Sequence, residues 1–329
     1  MTDASLINNR RSLRIKTTNF LLNYLFYLIF ILVFIFFSLS NEQFYSISNI
    51  STILLQSAPY MFLVCGMSLV MISGDFDISV GSVAFISVSV GALAVEMGFA
   101  NTILGVLLMF ITGSLLGLIN GLLITRLKIP AFIVTLGILI GGRGLGLILI
   151  AEKGYIFIPE SLTNLSKIKA GPIFIEVIAA IILMAIIQVY LRRSSLGIKI
   201  FAIGDNENAA QNVGVNVRQV KLLLFTLSGF FASLGGFIYL TQAGNVHAQF
   251  ASGWEFTAIS MVVIGGISLY GGAGSLVPGA LIGIILIIMI DNGLNIIGAS
   301  PYLYPFIKGL IIFVAIFADS LKNLYRKKL

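Results

Sequence analysis

Residues 20–39 read FLLNYLFYLIFILVFIFFSL, twenty positions without one charged side chain. A helix of that length rises about 30 Å, the thickness of the hydrocarbon layer of a bilayer. The run follows Arg10, Arg11, Arg14 and Lys16, but it is longer than the apolar core of a signal peptide. No small-residue cleavage pattern comes after it, so it reads as a retained first transmembrane helix.

The remainder of the 329 residues repeats the pattern. Hydropathy divides the chain into ten spans, at about 20–40, 53–73, 79–97, 102–125, 131–151, 172–191, 220–241, 257–270, 275–297 and 303–319. The eighth is short and runs into Gly265, Gly266, Gly271 and Gly272, which reads as a broken or re-entrant helix beside a cavity. Only 10% of residues are charged and mean hydropathy is +1.05, against roughly 25% charged in a soluble domain. The expected fold is therefore all-α and polytopic. One membrane domain over 20–319 carries a cytoplasmic segment at about 192–220, between a short N-terminal segment, 1–19, and a basic tail, 320–329.

A net charge of +7 suggests nucleic acid as a partner only when the charges form a soluble patch. Here they sit in short loops, where they report topology. With both termini cytoplasmic, the inside segments hold fifteen of the twenty Lys and Arg residues: Arg10, Arg11, Arg14, Lys16, Arg126, Lys128, Arg192, Arg193, Lys199, Arg218, Lys221, Lys322, Arg326, Lys327 and Lys328. The outside loops hold Lys153, Lys167 and Lys169, while Arg143 and Lys308 fall within or at the ends of spans. One cysteine, Cys65, and one histidine, His247, provide no disulfide framework, metal cluster or nucleophilic triad, which argues against an enzyme.

A weak internal repeat pairs Gly74-Asp75-Phe76-Asp77-Ile78-Ser79 with Gly265-Gly266-Ile267-Ser268-Leu269-Tyr270. Gly81-Ser82 and Gly274-Ser275 follow, then Asn120-Gly121-Leu122 and Asn292-Gly293-Leu294. Transporters are often built from such repeats, but glycine-rich turns between apolar spans also look alike by chance. Gly141-Gly142-Arg143-Gly144-Leu145-Gly146 follows no strand and lies in an apolar run, so close helix packing explains it better than phosphate binding.

The most informative polar stretch is Gly204-Asp205-Asn206-Glu207-Asn208-Ala209-Ala210-Gln211-Asn212-Val213-Gly214. Asn206 or Asp205 can cap a short helix there, Ala and Gln sustain it, and Gly214 can end it. Such a helix is either an ordinary linker or a surface offered to a soluble partner. Glu207-Asn208-Ala209-Ala210 followed by Gly214 resembles the EAA loop by which importer permeases of the ATP-binding-cassette class meet their ATPase. Gly74 to Ser82 resembles the GGIDLSVGS stretch of ribose, xylose and galactose permeases, and Ile129 to Gly137 with Arg143-Gly144 is similar to their IPAFIVTLG…RG segment. The same family order continues through Leu196-Gly197 to Asn206, Val263 to Gly274, and Asn292 to Gly309.

The resemblance implies a monosaccharide permease that works by alternating access. Its partners would be a cytoplasmic ATPase, an extracytoplasmic sugar-binding protein and a second permease copy, identical or paralogous. ATP and Mg²⁺ would sit on the ATPase; this chain has no GxxxxGK[ST] loop and needs no cofactor of its own. The resemblance makes Asp205, Asn206, Glu207, Ala209, Ala210 and Gly214 the ATPase-coupling residues. Departures are Asp75 in place of the second Gly, Lys199 near the usual Arg, and Trp254 to Ile259, which keeps Glu255 but lacks the family's Asp.

A sugar path needs amides, hydroxyls and aromatic faces, and burying a charge at membrane depth is costly unless it is paired or hydrated, so charges there are functional candidates. The candidates are Asn120, Thr135, Arg143, Gln242, Asn245, Glu255, Asp291, Asn292 and Tyr302, each also able to serve helix packing. Nucleosides or autoinducer-2 are alternative cargoes. An ion-coupled secondary transporter is a rival of another class, for which this chain has few mid-span carboxylates.

Overall fold

The computed structural model describes residues 27–150, 154–300, 302–307, 309, 310, 313 and 317. The expected terminal segments, the start of the first span and Lys308 lie outside the described residues. The protein is mainly helical. Its first elements are α1 (Tyr27–Ser40), α2 (Ile47–Ile72), α3 (Val80–Glu96), α4 (Thr102–Arg126) and α5 (Ala131–Ile150). A connection follows that contains β1 (Tyr155–Phe157), α6 (Glu160–Thr163), β2 (Lys169–Ala170) and β3 (Ile173–Phe174). Then come α7 (Ile175–Arg193), α8 (Ser195–Asp205), α9 (Glu207–Asn212), α10 (Val217–Ala243), β4 (Asn245–His247), α11 (Trp254–Ile264) and α12 (Leu281–Ile296). Helical residues recur between 303 and 317.

Among the described residues, six helices are long and apolar enough to cross a membrane: those over 47–72, 102–126, 131–150, 175–193, 217–243 and 276–296. Three shorter apolar helices, α1, α3 and α11, accompany them. Small polar residues set the starts. The side chains of Ser46, Asn101, Ser194 and Asn216 accept the free N–H groups of α2, α4, α8 and α10. Gly244, at φ 77°, closes α10.

Helix α10 is the hub. On α4, Gly113, Gly117 and Gly121 recur every fourth residue and so share one face. A Cβ added to Gly113 would lie 2.5 Å from the Gly229 carbonyl oxygen, and one on Gly117 would overlap that of Phe225. Two backbones in such contact gain van der Waals energy that larger side chains would prevent. The glycine-rich stretch of α5 behaves as expected: Gly142 sits on Ser82 and Ile86, and Gly146 on the Phe85 ring, while Gly141 and Gly144 face open space.

Breaks in helices at membrane depth leave polar groups that need partners. Pro59 lies inside α2, has no N–H, and so frees the Leu55 carbonyl one turn back. The Gln242 side-chain amide donates to that oxygen at 3.1 Å. The expected eighth span ends early: α11 stops at Ile264, and Gly266, Gly271, Gly272 and Gly274 all take positive φ in the loop beyond. Residues 276–280 form one wide turn before α12, with Val277 non-helical. Gln188 of α7 accepts the stranded Leu276 N–H at 2.6 Å and that of Val277 at 3.3 Å.

At the opposite end of the bundle, β1 pairs antiparallel with β4, Ile156 opposite Val246. Ser166 donates to the Thr241 carbonyl nearby, tying the 154–171 connection to the end of α10.

Candidate functional site: a three-way junction at one end of the bundle

Helix α8 is amphipathic and buries Gly197, Ile200 and Ile203. Its last turn brings Gly204 between the two halves of the sequence repeat. The Gly272 N–H donates to the Ile72 carbonyl at 2.9 Å, and a Cβ added to Gly271 would lie 2.8 Å from the Gly204 oxygen and from the Gly74 Cα. A Cβ on Gly204 would overlap the Ile72 carbonyl oxygen and the Gly272 nitrogen. The 73–79 loop, the 265–275 loop and the end of α8 are therefore in backbone contact. Any side chain at Gly204 must separate them.

Beyond Gly204 the chain turns into α9. Asn206 accepts the Ala209 N–H at 2.9 Å, and Gly214, at φ 86°, takes the left-handed backbone that glycine tolerates without penalty. Ala210 is buried, whereas Asp205, Ala209 and Val213 are exposed, Val213 to 79%. Lys221 of α10 clamps the assembly, with Nζ 2.7 Å from Glu207 Oε2 and 2.9 Å from Asp75 Oδ2. Burial lifts the Asp75 carboxyl above its ordinary range, and Lys221 opposes that shift. One ammonium thus joins α9, α10 and the 73–79 loop.

Deeper in, Asp77 is buried and fully engaged. It accepts the Ser79 N–H at 3.0 Å, the Ser79 hydroxyl at 2.5 Å and the Ser228 hydroxyl of α10 at 2.7 Å. Asn120 of α4 donates to the Ser79 oxygen at 2.9 Å. The network fixes the start of α3 against α4 and α10.

The other expected path residues fall into separate groups. Thr135 is buried and donates to the Ala131 carbonyl one turn back. Arg143 donates to the Phe250 carbonyl at 2.6 Å and the Ala251 carbonyl at 3.1 Å, with its guanidinium 4.9 Å from the centre of the Phe85 ring. Glu255, buried at the start of α11, shares electrostatics with it. Gln242 joins Glu176 of α7 at 2.5 Å, Asn245 lies in β4, and Asn292 exchanges amide hydrogen bonds with Asn49 at 2.9 and 3.0 Å. Asp291 is partly buried beside Asn292 on α12, and Tyr302 is 89% exposed.

Sequence reading passed over Gly204, Lys221, Asp77, Ser79, Ser228, Gln188 and Val213 as functional positions. Lys221 entered only as a topological charge. Asp77 carried a signal of its own, as an acid between two apolar spans in a motif already singled out.

A family model described as branched-chain amino acid transport system / permease component matches residues 49–316. The autoinducer 2 import system permease LsrC of Photorhabdus luminescens is 33% identical over 286 residues, which cover 86% of this chain and 85% of that one. The probable ABC transporter permease YphD of Escherichia coli is 34% identical over 295 residues, 88% and 87% of the two chains. The ribose import permease RbsC of Haemophilus influenzae is 32% identical over 289 residues, 86% and 88%. No solved structure matches the chain.

Proposed function

The chain belongs to the permease-component family matched over residues 49–316, and from that membership we propose that it is the membrane-spanning subunit that admits a monosaccharide through an ATP-driven importer. The relatives named for ribose and autoinducer 2 favour a small oxygen-rich cargo over the amino acids of the family's description. Autoinducer 2 is the second reading, carried by the LsrC likeness.

The observation that carries the mechanism is the junction at Gly204. An ATPase seated on α9 would move α8 and Lys221, and these contact both the 73–79 loop and the 265–275 loop. Those loops begin α3 and precede α12, so one push reorients two helices at once. Alternating access would require such a junction to have two discrete packings rather than a continuum. The end that carries α9 also carries Arg126, Lys128, Arg192, Arg193, Lys199 and Arg218, which supports a cytoplasmic position. A separate ATPase would hold ATP and Mg²⁺, and a sugar-binding protein would dock on the opposite end, near β1 and β4. Helix α5 leaves Gly137, Gly141 and Gly144 facing open space beside exposed Ile140 and Ile148, a face suited to a second permease copy.

Val213 offers a clean test of the ATPase contact because it is exposed and holds nothing else in place. Val213→Asp is expected to reduce co-purification of the ATPase by roughly 30-fold, the loss of one ~2 kcal/mol interface anchor. The yield and melting temperature of the permease alone should stay unchanged. Undiminished co-purification counts against α9 as the docking helix.

A further inference from the structure

A cleft of about 790 Å³ opens beside the junction, between the end of α4, the start of α5, α9 and the start of α10. Four cations line it: Arg126, Lys128, Arg218 and Lys221. Lys221 is paired with both Asp75 and Glu207, the two acids of the lining. Arg126, Lys128 and Arg218 are exposed and make no ion pair among the described residues. With four cations against two acids the lining carries a net charge of +2, and Arg126, Lys128 and Arg218 are its cations outside any ion pair among the described residues, which calls for an anion.

The position of the cleft identifies the kind of anion. Arg126 is the last residue of a membrane-spanning helix, and Lys128 and Arg218 flank the starts of α5 and α10. Next to these cations, Leu127, Phe132 and Ile133 are 63%, 56% and 57% exposed, a set of apolar side chains more than half open. Cations at headgroup depth beside bare apolar surface match a molecule that is anionic at one end and hydrocarbon at the other. Lys128 also holds a left-handed backbone, φ 55°, a conformation that a side-chain-bearing residue adopts at a cost of about 1–2 kcal/mol.

We propose that this cleft binds the headgroup of an anionic phospholipid, with Arg126, Lys128 and Arg218 around its phosphodiester and its acyl chains along Leu127, Phe132 and Ile133. Bound there, the lipid lies against Gln211 of α9 and against Lys221, so the charge of the surrounding leaflet bears on the junction itself.

The test needs neither cargo nor ATPase, so its outcome is independent of the proposed transport reaction. The purified full-length permease is titrated with phosphatidylglycerol or phosphatidylcholine in mixed micelles, and retained lipid is counted by native mass spectrometry. Phosphatidylglycerol should be retained and should raise the melting temperature; phosphatidylcholine should do neither. In the Arg126→Gln, Lys128→Gln, Arg218→Gln variant the affinity should fall about 100-fold, from about fivefold per cation. Arg192→Gln, Arg193→Gln, Lys199→Gln on the same end serves as the charge-matched control and should change it little. Lys128→Gly removes a charge while relieving the backbone, so lipid affinity should fall with no loss of fold. Equal losses in the control variant, no loss in the cleft variant, or equal stabilisation by inorganic phosphate would each overturn the proposal.

Discussion

Gly204→Val is expected to abolish uptake while leaving the ATPase bound. The reason is geometric: the new side chain overlaps the Ile72 carbonyl oxygen and the Gly272 nitrogen, both backbone atoms that cannot rotate away. The 2.9 Å hydrogen bond between Gly272 and Ile72 must open, and the two loops must part. Overpacking of this kind costs about 1–3 kcal/mol. A bias of that size moves a two-state junction by roughly 5- to 150-fold. Gly204→Ala should give an intermediate loss. Because α9 and exposed Val213 are untouched, ATPase association should persist, which separates this variant from Val213→Asp. Val213→Asp loses the partner; Gly204→Val keeps the partner and loses transmission. Uptake at the unsubstituted rate in Gly204→Val would remove the junction from the mechanism.

Asp77→Ala is expected to be the most destabilising single change in the loop that begins the repeat. The carboxylate takes three hydrogen bonds, and its loss strands the Ser228 hydroxyl and the Ser79 hydroxyl and N–H in a buried site. An unsatisfied buried polar group costs about 1–3 kcal/mol, so two or three together should cost roughly 3–5 kcal/mol. Asp77→Asn should recover part of this, since its amide oxygen still accepts from Ser79. Asp75, two residues earlier, gives the contrast. Its carboxylate is paired with Lys221, whose second partner Glu207 stays in place, so Asp75→Ala leaves no unpaired ammonium and should cost less than Asp77→Ala. Melting temperatures of the three variants in one detergent check the order. A loss in Asp75→Ala equal to that in Asp77→Ala would contradict the assignment.

These two residues also show how far the sequence could be read. Apolar runs announce membrane helices because the bilayer imposes the same demand on each of them, and the runs expected at 53–73, 102–125, 131–151, 172–191, 220–241 and 275–297 overlap the six long apolar helices of the described residues. Local punctuation was equally legible. Asn206 caps α9, Gly214 ends it, and the glycines after Ile264 stop α11 short, since each acts through its own few residues.

What could not be read depends on which distant segments touch. Asp77 meets Ser228 across 151 residues of sequence, and Gly204 is confined by two loops that no local pattern brings to it. Gln242 looked suitable for a sugar path by chemistry, yet its amide serves the carbonyl freed by Pro59. A polar side chain in a membrane helix satisfies a broken backbone and a ligand with the same atoms, so residue type alone does not separate the two duties. The two loops paired in the sequence meet at Gly204 rather than lying apart.

The central claim is that this permease moves a monosaccharide at the expense of ATP hydrolysed by a partner. The most direct measurement is uptake of labelled ribose by proteoliposomes containing the permease, its ATPase and its binding protein, with xylose, galactose and autoinducer 2 run in parallel. The account predicts accumulation of a monosaccharide that requires both enclosed ATP and the binding protein and is indifferent to an imposed proton or sodium gradient. Accumulation driven by an ion gradient with the ATPase omitted would contradict it.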